Sequence, residues 1–273
     1  MILVADIGGS HTRLSINDVP DSLEEPIVYD TPADFNDAIS TFARAAMDIS
    51  KGRPITSGVV GIAGTLSADR RVLLRSPHLR GWENRDVAAT FGQAIGAPVR
   101  FENDVALGAL GEATRGAGVG ASIIAYVAVG TGVNGARVVD GKIDVTALGF
   151  EIGHQRLDIG ADAQELEELV SGSALFTKYG RPASEITDPD IWNECADILA
   201  IGLYNTILHW SPERIVLGGS LLLGTHGIPV ERVNTALQSI NTALPALPEI
   251  RLAALGDSSV LSGASFFSIL NSS

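Results

Sequence analysis

Cysteine occurs once in the 273 residues, at Cys195, which excludes an internal disulfide framework. Positive charge is also in short supply. With 19 Lys and Arg against 32 Asp and Glu, the formal charge is −13 and the isoelectric point near 4.7. A nucleic-acid footprint needs a clustered basic surface, so no nucleic-acid partner is expected, and any anionic ligand must be held by local devices. Long apolar runs are missing as well. The run Ala121 to Val129 is interrupted by Ser122 and stops well short of the ~18 residues of a membrane span, so no membrane partner is expected. The chain opens on Ile2-Leu3-Val4-Ala5-Asp6 with no basic leader, which points to a cytoplasmic protein. What is abundant is apolar residues, at 45%, and glycine, with 30. That suffices for one large domain or two smaller ones with substantial cores, and no linker or low-complexity tract divides them.

Glycine gathers at strand ends. Residues 2–7 form an apolar, β-branched run followed by Gly8-Gly9-Ser10-His11-Thr12-Arg13, and Leu14 to Asn17 then alternate as a second strand. Without Cβ atoms at Gly8 and Gly9 the turn can present N–H groups to an anion, with Ser10, Thr12 and Arg13 as further donors. Asp6, at the strand end, suits a hydrated Mg²⁺. The same logic recurs after the strand 122–128, where Val129-Gly130-Thr131-Gly132-Val133-Asn134-Gly135 leads into another strand. An internal duplication of an α/β unit would produce this repeat, although either turn alone also fits a plain hairpin. Further strands end in glycine at Gly64 and at Gly218-Gly219, the latter offering bare backbone to an aromatic base.

Carboxylates appear where chemistry would want them. Val99 to Phe101 reads as a short strand and residues 105–114 as a helix, so Asp104 emerges at a strand-to-helix junction. Strand ends in α/β sheets face ligands, which suits a general base; Asn103 and Asp104 would equally serve as helix caps. His78 lies in a loop, free for solvent or a ligand. Glu151 and His154, three apart between glycines, can converge on one polar ligand, and too few partners stand near them for a closed zinc site. A helix over 163–169 carries Glu165, Glu167 and Glu168, where early acids favour the helix dipole. Helices are also expected over 33–50, 85–95, 190–209 and from Pro229 to about 244, with Cys195 on an apolar face as an inert thiol.

In this order, the glycine turns, the junction acid and Glu151-Ile152-Gly153-His154 resemble the ROK sugar-kinase family of the actin, hexokinase and Hsp70 superfamily, in a zinc-less, glucokinase-like form. The resemblance covers nearly the full chain. It implies two ribonuclease-H-like α/β domains of actin/hexokinase type, with mixed sheets flanked by helices and an interdomain cleft. A small N-terminal domain would span 1–110, completed by a C-terminal helix over 257–273, and a large C-terminal domain would span 111–256. It further implies an ATP- and Mg²⁺-dependent hexose kinase, acting as a homodimer on a small-molecule sugar, with glucose at its 6-hydroxyl leading the candidate substrates. Asp104 would be the catalytic base. Gly64, His78, Asn103, Asp104, Glu151, His154 and Glu167 would bind sugar; Asp6, Gly8, Gly9, Ser10, Thr12, Arg13, Thr131, Gly132, Gly218 and Gly219 would bind the nucleotide and its metal.

Departures from the family pattern bear on the sugar. Residues 155–164 hold no Cys where the family commonly has a zinc loop, so no structural zinc is expected and His154 is left for sugar. Ala63-Gly64 stands for a usual Pro-Gly, His78 for a usual Asn, Ser10 for a Thr, Arg13 for a Lys and Asn134 for a Gly. N-acetylmannosamine, N-acetylglucosamine, mannose and fructose are alternative substrates, polyphosphate is an alternative donor, and a catalytically inactive sugar sensor or regulator is the alternative of a different class.

Overall fold

The computed structural model describes residues 1–18, 22–160 and 163–270. Residues 271–273, the end of the expected C-terminal helix, lie outside the described residues, as do 19–21, 161 and 162. By its contacts the chain divides into two compact units, the first comprising Met1–Arg115, Val145–Gly149 and Asp257–Ser273, the second Gly116–Asp144 and Phe150–Gly256.

In the first unit, β1 (Ile2–Ile7) pairs antiparallel with β2 (His11–Asn17), and β2 pairs antiparallel with β3 (Ile27–Asp30). Helix α1 (Phe35–Ser50) starts where the Asp34 side chain accepts from the N–H groups of Asn36 and Asp37, and stops at Lys51, which is in the left-handed region. Its apolar stripe of Phe35, Ala38, Phe42, Ala46 and Ile49 is buried at the period the sequence shows. β4 (Ser57–Ile62) follows, and then a small antiparallel sheet of β5 (Thr65–Leu66), β6 (Val72–Arg75) and β7 (Arg85–Asp86). The helix expected from residue 85 begins later, as α2 (Val87–Ile95), because Arg85 and Asp86 pair with β6 and the Asp86 carboxylate caps Ala89 N–H. β8 (Val99–Asn103) and α3 (Asp104–Arg115) complete the order β3-β2-β1-β4-β8, with β1, β4 and β8 parallel.

Aromatic rings are few, and in this unit Phe35, Phe42, Trp82, Phe91 and Phe101 pack into one cluster. Phe91 meets Phe42 at a centroid distance of 4.8 Å and Phe101 at 5.3 Å, both edge-on, and Phe35 packs edge-on to Trp82 at 5.6 Å. Against the other face of the sheet, the C-terminal helix (Ser259–Leu270) crosses α3 through small residues. Any Cβ at Gly263 would collide with the Leu107 carbonyl, and one at Gly111 with the Ser259 carbonyl, so the two backbones touch directly.

The second unit repeats the sheet. β9 (Ile123–Val129), β10 (Val133–Val139) and β11 (Lys142–Ile143) form antiparallel pairs; α4 (Leu166–Val170), α5 (Gly172–Tyr179) and α6 (Pro189–Trp210) follow. β12 (Arg214–Gly218), α7 (Ser220–Leu223), α8 (Val230–Ile240) and β13 (Glu249–Leu252) end it. The strand order β11-β10-β9-β12-β13, with β9, β12 and β13 parallel, has the order and senses of the first sheet. Its core packs Trp192, Leu199 and Leu203 of α6 with Ala125, Val127, Ile215 and Leu217. Cys195 is buried there, and burial pushes its thiol up to about 11, so it is inert.

Replacing Gly263 by alanine would ordinarily favour a helix by about 0.5–1 kcal/mol. Here the collision reverses the sign. Gly263→Ala is expected to destabilise the protein by about 1–3 kcal/mol, read as a lowered Tm in thermal denaturation.

Candidate active site

Residues 102–104 sit where β8, parallel to β4, turns into α3. The Asn103 side chain works in two directions. Its Oδ1 accepts from Ala106 N–H at 3.1 Å, capping α3, and its Nδ2 donates to the Gly64 carbonyl at 3.2 Å. Gly64 has φ of +141°, and a Cβ there would lie 2.5 Å from the Arg75 carbonyl oxygen, so only glycine allows the chain to pass. Asp104, half-buried, accepts Val105 N–H at 2.9 Å through one carboxylate oxygen. Behind them, Glu102 is 7% exposed; it accepts Asn103 N–H at 2.9 Å and pairs with Arg70 Nε at 3.2 Å. Arg70 also donates through Nη2 to Thr146 Oγ1 at 3.1 Å.

Beside this junction lies the β1–β2 turn. Gly8 N–H donates to the His11 carbonyl at 3.0 Å, and the Thr31 hydroxyl donates to the Gly8 carbonyl at 2.9 Å. Ser10 is exposed at the turn, and a Cβ on Gly9 would strike His78, so His78 lies against this turn. Thr12 departs from expectation: it is 2% exposed, with its hydroxyl 2.9 Å from Thr31 Oγ1, so it braces the turn from inside and presents no donor to a ligand. Asp6 is 8% exposed, and its carboxyl is pushed up to about 7 by burial first, then by Asp104 and Asp257, against the pull of Arg13. Arg13 lies 3.6 Å from Asp6 and 3.3 Å from Asp257. One guanidinium thus bridges two carboxylates, and a third, Asp104, adds to the negative charge on Asp6. Such a surplus of negative charge with oxygen donors fits a hydrated divalent cation.

In the second unit, the turn Gly130-Thr131-Gly132 joins β9 to β10 and is held by the start of α5. Gly172 N–H donates to the Gly130 carbonyl at 2.8 Å, and Ser173 donates to the Thr131 carbonyl through N–H at 3.1 Å and Oγ at 2.8 Å. On the other side the Glu167 carboxylate accepts Val133 N–H at 2.7 Å, and a Cβ on Gly132 would lie 2.5 Å from Glu167 Oε2. A cavity of about 840 Å³ opens next to this turn, lined by Thr131, Ser173, Phe176, Thr177, Ser220 and His226 among others. Gly218 and Gly219 also serve packing. A Cβ at Gly218 would lie 2.5 Å from the Tyr126 hydroxyl and one at Gly219, with φ of +91°, would strike the Val129 carbonyl, so they let β12 close on β9. The cavity is lined by the residues just after them.

His154 closes a short 3₁₀ turn (Ile152–His154), with Glu151 exposed before it. Its Nδ1 lies 2.5 Å from Glu165 Oε2; α4 starts only at Leu166, and Glu165 is its N-cap, in a capping box with Glu168, so the role expected of both acids at the helix start stands beside the contact with His154. Among the described residues, no group of three or more His, Cys, Asp or Glu is arranged to hold a metal by itself.

Comparison with known proteins adds to this geometry. The ROK family model matches residues 3–269. The chain belongs to the ROK family. The N-acetylgalactosamine kinase AgaK of Shewanella sp. (strain ANA-3) is 30% identical over a 298-residue alignment covering 95% of this chain and 94% of that relative. Two solved structures share its fold. A ROK hexokinase from Thermus thermophilus superposes with a TM-score of 0.80 at 25% identity, covering 99% of each chain. A ROK glucokinase from Streptomyces griseus, in complex with glucose and AMPPNP, gives 0.81 at 22% identity, covering 97% of this chain and 98% of that one. The expected mixed α/β fold of actin/hexokinase type therefore holds.

Several residues of these sites escape motif reading. Arg70 comes from an exposed polar turn, Asp257 from the far end of the chain, and Ser173 and Phe176 of α5 and His226 from two separate segments. Only Ser171-Gly172-Ser173, small residues opening a helix, leaves a trace in the sequence.

The raised carboxyl of Asp6 makes stability depend on pH. Because the folded value lies above the unfolded 3.8, the stability it allows is full below about pH 4 and is lost as pH rises toward 7. Without divalent cations, Asp6→Asn is expected to be the more stable protein at pH 8, by on the order of 3 kcal/mol, and equal to wild type near pH 4. Thermal denaturation of both across that range in EDTA reads the difference.

Proposed function

We propose that the chain is an ATP-dependent sugar kinase that passes the γ-phosphoryl group to a hydroxyl of a hexose, with the 6-hydroxyl of glucose or a related hexose as the first reading. The observation that carries it is Asp104, a carboxylate at a strand-to-helix junction beside Asp6 and a glycine turn. In the reaction Asp104 accepts the proton of the attacking hydroxyl and so raises its nucleophilicity. Asn103, anchored to Gly64, orients the sugar with Gly64 and His78 nearby in the first unit, and Glu151, His154 and Glu167 supply polar groups in the second. The cavity beside Thr131 takes the nucleotide, with Phe176 as an apolar wall and hydroxyls at Thr131, Ser173 and Thr177 as polar contacts. Asp6 and its neighbours would hold hydrated Mg²⁺, which supplies charge neutralisation on the transferring group. Arg13 fixes Asp6 in place, and Gly8, Gly9 and Ser10 offer turn donors to phosphate oxygens.

An N-acetylated hexosamine is a second reading, favoured by the 30% identity to an N-acetylgalactosamine kinase across 95% of the chain. A panel of glucose, mannose, fructose and N-acetylhexosamines, run with ATP and with polyphosphate in a coupled assay, separates these and exposes an inactive sensor by the absence of turnover. With the preferred sugar, Asp104→Asn is expected to lower kcat by about 10²–10⁴-fold while sugar KM stays within a few-fold. Near-normal turnover in that variant would sink the assignment.

A further inference from the structure

His154, placed with the sugar above, is paired with Glu165, to which the reaction above gives no part. The turn carrying His154 is pressed onto β10, since a Cβ on Gly153 would collide with the Val133 carbonyl, so the ring's backbone has one position. Glu165 is pinned from both sides. It pairs with Arg156 across an antiparallel bridge, its N–H donates to Glu168 Oε2 at 2.9 Å, and the next residue, Leu166, donates to the Gln155 carbonyl at 3.0 Å. Between these two fixed backbones Nδ1 of His154 meets Glu165 Oε2 at 2.5 Å. The side chain of His154 is 54% exposed, and its Nε2 has no protein partner among the described residues.

We propose that Glu165 is the positioning residue of the sugar site, gripping Nδ1 of His154 so that the opposite nitrogen, Nε2, donates a hydrogen bond to a sugar hydroxyl. This rests on the sugar-kinase reading. A carboxylate at Nδ1 requires a proton there, so Nε2 is a lone pair in the neutral ring and an N–H donor in the cation. Glu165 is the main influence holding the imidazole protonated, and Glu167 and Glu151 act in the same direction. The donor therefore persists to higher pH than an ordinary imidazole would allow and is lost as pH rises through the raised value of His154. In a chain without cysteines at 155–164, an ion pair inside the protein takes over the placing of this histidine.

Two measurements on the full chain test this. In an NMR titration of the histidine ring, Glu165→Gln, which keeps the size and an acceptor oxygen, is expected to move His154 to lower pH, toward the ordinary value of about 6.5. An unmoved titration overturns the proposal. In steady-state kinetics with the sugar best turned over, wild-type KM should stay flat at low pH and rise on the alkaline side, and Glu165→Gln should shift that rise to lower pH. At pH 7.5 this appears as a higher KM, by up to about tenfold, with kcat within twofold, and the difference should vanish below pH 6. A pH-independent loss of both parameters, as from a merely loosened loop, overturns it too. If Glu165→Gln does not fold, His154→Gln decides: its KM profile should lose the alkaline rise, and a surviving rise counts against the proposal. A wild-type protein inactive on every sugar brings down the kinase reading and the sugar half of this proposal, while the His154 titration still decides the pairing.

Discussion

The first unit depends on a charge imbalance that it does not resolve internally. Asp6, almost wholly buried, feels the charges of Asp104 and Asp257 against the pull of Arg13, which lies within 3.6 Å of Asp6 and 3.3 Å of Asp257. Water cannot offset that repulsion well at 8% exposure, so the carboxyl of Asp6 titrates near neutrality. Folding holds these acids together because each is fixed by something else: Asp6 by the strand pairing of β1 with both β2 and β4, Asp104 by the junction of β8 with α3, Asp257 by the start of the C-terminal segment. Stored repulsion of this kind is characteristic of sites built to receive a cation or a proton.

Backbone contact is the second theme. Where two chains must touch, glycine stands at the contact: Gly263 on Leu107, Gly64 beside Arg75, Gly219 on Val129, Gly153 on Val133. These positions explain much of the glycine content better than ligand contact does. The Gly218-Gly219 pair is the clearest case, since its glycines serve the packing of β12 on β9 and the cavity begins one residue later. The side chains that line that cavity come from the turn after β9, from α5 and from α7 and the loop beyond it.

Carboxylates in the second unit divide their labour by partner. Glu167 grips the β10 N–H that ends the Gly130–Gly132 turn, while Glu165, two residues earlier and outside α4, faces His154. A helix that starts one residue after Glu165 turns them to different tasks.

By itself the sequence determined the strands and glycine turns, the main helices within a few residues, the repeat of one α/β plan and the place of Asp104 at its junction. These follow from local physics: apolar period, capping side chains and the freedom of glycine. The start of α2 and of α4, the small sheet β5-β6-β7, the inward turn of Thr12 and the pairing of His154 with Glu165 were not legible there. Each hangs on a partner distant in the chain or on the direction of one side chain, as with Arg13 and Asp257, separated by 244 positions. Which residues carry charge was written in the sequence, and tertiary structure decided which of those charges water no longer screens.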